Sequence, residues 1–233
     1  MRLSARLTRF FAALLSGGLL VCLLSSAVYL LGSSDALMQS LMLRTAPPES
    51  TFLPEEAYPA AVQSITGYLR GTANTCQFTF WQDGTEYMGF NDREQAHMAD
   101  CRTLFLLCRR IAVCSGILSL VLLTMLLAAR RQDAFARLAA LLRWELLALT
   151  LLGIVAAFCF SDAFVLFHRL LFRNDLWLLN PQTDLLIRLM PTAFFERYAL
   201  LIAGVFVIGA VMLEALARWA AHCLDHSRKK DSP

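Results

Sequence analysis

The sequence predicts an all-α polytopic membrane protein with four transmembrane helices and a small α+β extracytoplasmic cap. Three observations carry this. Of the 233 residues 58% are hydrophobic and the mean hydropathy is +0.55, above the roughly 45–50% apolar share of soluble domains. Stretches 10–32 and 111–129 contain no charged residue, and their lengths fit the roughly 20 residues that cross a bilayer. Stretches 146–161 and 198–213 have uncharged cores of 16 residues; they reach spanning length through interfacial flanks, with Glu145 and Glu214 snorkelling at their cytoplasmic ends.

Residues 1–32 form the N-terminal segment and first span. Arg2, Arg6 and Arg9 precede it as they would a secretion signal, but the apolar run exceeds the roughly 7–15 residues of a signal core, and Cys22 after Leu-Leu-Val matches a lipoprotein cleavage box poorly. Residues 33–110 then form the cap, 111–129 the second span, 130–145 a cytoplasmic loop and 146–166 the third span. An outer interfacial or re-entrant segment occupies 167–197, the fourth span 198–217 and a basic cytoplasmic tail 218–233.

Basic residues in short loops set orientation. Arg130, Arg131, Arg137 and Arg143 lie in the middle loop, and Arg218, Arg228, Lys229 and Lys230 in the tail. With the N-terminal arginines they place both termini in the cytoplasm. The other basic residues are spread over longer outer segments among 13 acids. The net charge of +3 therefore reflects topology and implies no nucleic-acid partner.

Within the cap, Pro54, Glu55 and Glu56 start a helix on which Tyr58, Val62, Ile65 and Leu69 share a face before Gly71 ends it. Phe78 and Phe80 then alternate with polar residues, Asp83-Gly84 makes a hairpin turn, and the chain returns through Tyr87 to Phe90. Asn91 and Glu94 form a capping box that launches a helix continuing into the second span. On that helix Glu94, His97, Asp100 and Cys101 share a face. A carboxylate beside an imidazole raises its basicity, which makes Glu94 and Asp100 candidate supports for His97. A solvated helix stripe has the same pattern.

The second outer segment is dense in aromatics. Phe160, Phe164 and Phe167 approach His168, and Phe172, Trp177, Phe194, Phe195 and Tyr198 follow. An interfacial belt explains many of these. Asn180-Pro181 opens a short helix through Leu185, Leu186 and Leu189, and Pro191 stops it before Thr192 caps the last span. The remaining histidines, His222 and His226, lie with Cys223 in the basic tail.

The seven cysteines match neither a disulfide framework nor a zinc signature. Cys22, Cys114 and Cys159 fall in spans as small apolar residues, whereas Cys76 and Cys101 lie together outside, where a bridge can form. No G-x-S-x-G elbow, H-E-x-x-H, phosphate loop or dinucleotide fingerprint occurs. His97 and Cys101 have metal-ligand spacing, and His168 could add a third ligand; no closed metal shell is indicated.

The runs FNDREQAHMADCRTLF and FHRLLFRNDLWLLNPQTDLLIRLMP resemble the two signature regions of the lipoprotein intramolecular transacylase family, Lit. The resemblance extends over nearly the whole chain and departs from the family pattern at Asp100-Cys101-Arg102, where the family has Asp followed by an aliphatic residue and Lys. It implies that the sn-2 acyl chain of a diacylglyceryl lipoprotein moves to the α-amine of its own N-terminal cysteine. It also implies that His97 and His168 are the catalytic pair and that no cofactor is needed. The expected partners are the lipoprotein substrate and membrane lipid.

Both nucleophile and acyl donor belong to such a substrate, so the enzyme needs a base and an oxyanion partner rather than a nucleophile of its own. An α-amine near 7.7–8.0 and an imidazole near 6.5 exchange a proton with little bias at neutral pH. His97 is the expected base because Glu94 and Asp100 flank it, with His168 serving the oxyanion or the leaving oxygen; the reverse assignment stays open. Phe90, Phe164, Phe167 and Trp177 are the expected walls of an aromatic cleft. Two rivals remain: a metal-dependent membrane hydrolase using His97, Cys101 and His168, and a non-enzymatic scaffold whose cap binds a partner.

Overall fold

The computed structural model describes residues 4–129 and 132–230. Arg2, Arg130 and Arg131, used in the orientation argument, lie outside the described residues. In chain order the elements are α1 (Ala5–Gly32), α2 (Asp35–Thr45), α3 (Pro48–Thr51), a 3-10 turn (Glu55–Ala57), α4 (Tyr58–Arg70), β1 (Thr79–Gln82), β2 (Thr85–Met88), α5 (Asp92–Ala128), α6 (Gln132–Phe158), α7 (Phe160–Leu171), α8 (Leu185–Leu189) and α9 (Thr192–Lys230). Four helical stretches are long and apolar enough to span a membrane: Arg6–Gly32, Asp92–Ala128, Asp133–Phe158 and Thr192–His226. The protein is a multi-pass membrane protein.

Two compact units are distinguished. The first comprises Met1–Ala27, Arg109–Val155 and Ala203–Pro233. Leu15, Leu20, Leu122, Leu126, Phe135, Leu142, Phe206 and Ala210 are buried there among the helices, while Val113, Ile117, Leu120, Leu151, Leu152 and Ile208 are exposed. Such an apolar exterior is unfavourable in water and neutral against lipid tails, so burial within this unit depends on close packing. Ser16, on α1, donates its hydroxyl proton to the Glu145 carboxylate.

The second unit, Val28–Cys108 and Ala156–Ile202, holds the cap. Its buried core gathers Met38 and Met42 of α2, Tyr58, Val62, Ile65 and Leu69 of α4, Phe78 and Phe90 flanking the hairpin, Met98 of α5, and Leu185, Leu186 and Leu189 of α8. Helix α4 follows the expected spacing, and Gly71 ends it at φ 81°, a left-handed conformation that costs glycine little. Helix α2 was not expected. Its signals are Ser34, whose side chain accepts from Leu37 N–H, and the buried pair Met38 and Met42 one turn apart.

The hairpin is antiparallel, with Thr79 opposite Met88 and Gln82 opposite Thr85. Asp83 (φ 53°) and Gly84 (φ 78°) make the two-residue turn, both left-handed as the strand twist requires. Gln77 closes the base: its side-chain oxygen accepts from Phe90 N–H at 2.9 Å and its amide donates to Phe90 carbonyl at 2.5 Å.

Other elements also differ from the sequence expectation: residues 132–145, expected as a loop between spans, are the first turns of α6, and residues 218–230 of the tail continue α9. The helix bearing the third apolar stretch ends at Phe158, and α7 starts afresh after Cys159, whose φ of −118° and ψ of 40° are not helical. His168 therefore sits on a short helix of its own. Asn180-Pro181 also starts a turn, not a helix: Asp184 N–H returns to Asn180 carbonyl at 2.8 Å, and α8 begins at Leu185.

Candidate active site

Helix α5 opens with the expected reciprocal capping box. Glu94 N–H donates to Asn91 Oδ1 at 3.0 Å, and Asn91 N–H donates to Glu94 Oε2 at 2.7 Å. The second carboxylate oxygen of Glu94 accepts from Leu186 N–H at 2.5 Å, and the side chain is only 1% exposed. Asp184 reinforces the joint: its Oδ1 accepts from Asn91 Nδ2 at 2.9 Å and its Oδ2 from Asn180 N–H at 2.7 Å. Burial pushes the Asp184 carboxyl up, but the Asn180, Asn91 and Thr183 hydrogen bonds, aided by Arg93, more than offset it and hold it below the usual carboxylate range.

Further along α5, Asp100 Oδ2 accepts from Asn174 Nδ2 at 2.9 Å, and the Arg93 guanidinium donates to Asp175 carbonyl. The first turns of α5 are thus fastened to both 174–175 and 180–186. These clamps bring α7 alongside α5 and place His97 opposite His168. The two rings have centroids 6.2 Å apart at 33°. Phe172 contacts both, at 5.3 Å from His97 and 5.5 Å from His168.

Around His168 stand Phe164 at 4.3 Å, Trp177 at 5.0 Å and Phe167 at 5.4 Å, ring to ring. Both histidines are 8% exposed. A cleft of about 260 Å³ opens beside them, lined by Arg169, Phe172, Arg173, Asn174, Asp175, Trp177 and Leu178. Neither histidine lines that cleft, and neither lines a second one, of about 310 Å³, bounded by Phe90, Asn91, Glu94 and Arg188 among others.

The imidazoles differ in their partners. His168 Nδ1 donates to Phe164 carbonyl at 2.8 Å, leaving Nε2 with its lone pair. Burial lowers the His168 pKa below its ordinary 6.5, with the Phe164 hydrogen bond opposing this in part, so the ring is neutral at pH 7. His97 Nδ1 is buried without a hydrogen-bond partner among the described residues, and its Nε2 lies 3.5 Å from Cys101 Sγ.

The sequence-derived site residues divide accordingly. His97, His168, Phe164, Phe167 and Trp177 come together. Glu94 and Asp100 lie on the same helix, and their carboxylates accept hydrogen bonds from Asn91, Leu186 and Asn174 rather than from His97. Phe90 is 2% exposed and packs edge-on to Phe78 at 5.2 Å, as a core residue on the other cleft. Phe172, between the histidines, was not singled out; its sequence signal was the four-residue step from His168 within an aromatic run. Cys76 and Cys101 are free thiols. No group of three His, Cys, Asp or Glu side chains positioned to hold a metal ion occurs among the described residues.

Comparison with known proteins adds the family. Residues 13–195 match the description "Lipoprotein intramolecular transacylase Lit". The in meso structure of the membrane-integral Lit from Bacillus cereus superposes with a TM-score of 0.76 at 18% identity, covering 98% of this chain and 100% of that one. A form of that protein with a histidine-to-arginine mutation gives 0.74 at 17% identity, covering 95% of each chain. No curated protein sequence matches significantly. At these identities the structural likeness is one of fold.

Proposed function

The chain belongs to the Lit family of lipoprotein intramolecular transacylases, and on that premise we propose that His168 and His97 transfer the sn-2 acyl chain of a diacylglyceryl lipoprotein to its own N-terminal α-amine. The observation that carries the assignment is the difference in partners of the two imidazoles. His168 has its Nδ1–H tied to Phe164 carbonyl, so Nε2 is the free acceptor of a neutral ring, as a general base requires. This is the reverse of the assignment expected from sequence, which the sequence leaves open; the Glu94 and Asp100 carboxylates make their hydrogen bonds to Asn91, Leu186 and Asn174.

The amine nitrogen attacks the ester carbonyl carbon while His168 Nε2 accepts its proton. The carbonyl oxygen becomes an oxyanion and receives a hydrogen bond from His97 Nδ1, which has no protein partner to give up. Collapse breaks the bond from the acyl carbon to the glyceryl oxygen, and the imidazolium of His168 returns the proton to that oxygen. An ester and an amine become an amide and an alcohol, with no water consumed and no change of mass.

Amine and ester must meet in a medium-sized ring. Holding them in near-attack geometry contributes up to roughly 7–11 kcal/mol. Phe164, Phe167, Phe172 and Trp177 provide rigid apolar surface for the acyl chain. The basic residues of the middle loop and tail support cytoplasmic termini, which puts the cap and both histidines on the outer side, facing lipoproteins in the outer leaflet.

The test is conversion of a purified diacylglyceryl lipopeptide by the reconstituted enzyme, followed by fragmentation mass spectrometry. The expected product has unchanged mass with one acyl group on nitrogen, formed equally with and without chelator. Release of free fatty acid in a chelator-sensitive reaction would replace this reading with the metal-dependent hydrolase.

A further inference from the structure

Cys101 follows His97 by one turn of α5, and its Sγ lies 3.5 Å from His97 Nε2. A neutral imidazole carries one N–H and one lone pair, and whichever nitrogen accepts leaves the other to donate. A thiol is a weak acceptor, whereas an imidazole lone pair is a good one. The favourable arrangement is therefore S–H donating to Nε2, which places the ring proton on Nδ1. That nitrogen is the one buried without a partner among the described residues, on a side chain 8% exposed. An unpartnered donor there is costly at rest unless a bound molecule uses it.

We propose that Cys101 is a positioning residue that holds His97 in the Nδ1–H tautomer by donating its thiol proton to Nε2, aiming the opposite N–H at the reacting carbonyl of the substrate. The inference rests on the role given to His97 above and adds what sets its tautomer. Glu94 and Asp100, the carboxylates nearest in sequence, are bound to Asn91, Leu186 and Asn174. The thiol is thus the side chain in hydrogen-bonding reach of this ring among the described residues.

The test is long-range proton–nitrogen NMR of the full-length protein labelled with ¹⁵N-histidine in detergent at neutral pH, with the His97 signals assigned by their loss in His97→Gln. The expected wild-type spectrum has Nδ1 protonated and Nε2 bearing the lone pair. Cys101→Ala should shift His97 to a mixture of tautomers and lower kcat roughly five- to tenfold, the effect of one neutral hydrogen bond, with KM little changed. Cys101→Ser, which restores a donor, should return both readouts to within about twofold of wild type. A wild-type Nε2–H tautomer, or a tautomer unaltered in Cys101→Ala, would overturn the proposal. The wild-type spectrum decides the tautomer even where a variant fails to fold. It also does so where the transacylation reading itself fails.

Discussion

His168 Nδ1 lies 2.8 Å from the carbonyl oxygen of Phe164, one turn earlier on α7. A helix carbonyl has a second lone pair beyond its backbone bond, so α7 itself fixes the tautomer of its own histidine without a carboxylate. The lone pair on Nε2 is then held in place by the helix and by the rings of Phe164, Phe167, Phe172 and Trp177.

Replacement of the base should cost more than replacement of the donor. His168→Ala should lower kcat by roughly 10²–10⁴ and His97→Ala by roughly 10²–10³. The double variant should be little worse than His168→Ala, because groups acting on one reacting centre are not additive. His97→Gln keeps an N–H donor and should retain more activity than His168→Gln; steady-state conversion of a lipopeptide gives the order, and the opposite order would return the base to His97.

The pH dependence follows from burial of His168, which lowers its pKa from 6.5. Between about pH 8 and 6.5 conversion should fall with a single slope, set by protonation of the substrate amine near 7.7–8.0. A second unit of slope from His168 should appear only below 6.5. Stability has the same sign: the depressed folded pKa contributes stability fully above 6.5, and this is lost as pH falls below it, because the unfolded chain takes up a proton that the fold resists. Thermal unfolding in detergent should show that acid loss reduced in His168→Gln.

The carboxylates on α5 should behave as structural groups. Glu94→Ala strands two backbone N–H groups, on Asn91 and Leu186, and should destabilise the protein by about 2–4 kcal/mol. Asp100→Asn can still accept from Asn174 and should cost less than about 1 kcal/mol. Neither should move the acid limb of the pH profile. A shifted limb in Asp100→Asn would restore the carboxylate–imidazole pairing that the sequence suggested.

Much of the fold was legible because its signals are local. The first, second and fourth apolar runs, the 58, 62, 65 and 69 face of α4, the Asp83-Gly84 turn and the Asn91–Glu94 capping box depend on residues a few positions apart, and each formed where expected. The interruption at Cys159 was not legible, since no proline or glycine marks it and 156–160 reads as continuous apolar helix. The capping role of Glu94 was visible at Asn91 but not at Leu186, which reaches it from 92 residues away. Likewise helical spacing puts Asp100 on the face of His97, while the hydrogen bond that its carboxylate accepts comes from Asn174, in a loop 74 residues on. Spacing identifies which side chains share a face; it does not say where their polar atoms turn.

Orientation can be read in intact cells. An epitope inserted at the exposed Asp83-Gly84 turn should be accessible in spheroplasts, and one appended after residue 233 only after permeabilisation. The converse pattern would place both histidines on the wrong side for a lipoprotein of the outer leaflet.

Direct passage of the acyl group from glycerol to nitrogen under the control of His168 can be followed with an isotope label. A diacylglyceryl lipopeptide with a heavy-isotope acyl chain at sn-2 should, with wild-type enzyme, yield product of unchanged mass carrying the label on the α-amine. With His168→Ala the label should remain on glycerol. Label recovered as free fatty acid would show hydrolysis instead of transfer, and transfer to nitrogen at the wild-type rate by His168→Ala would show that His168 is not the base.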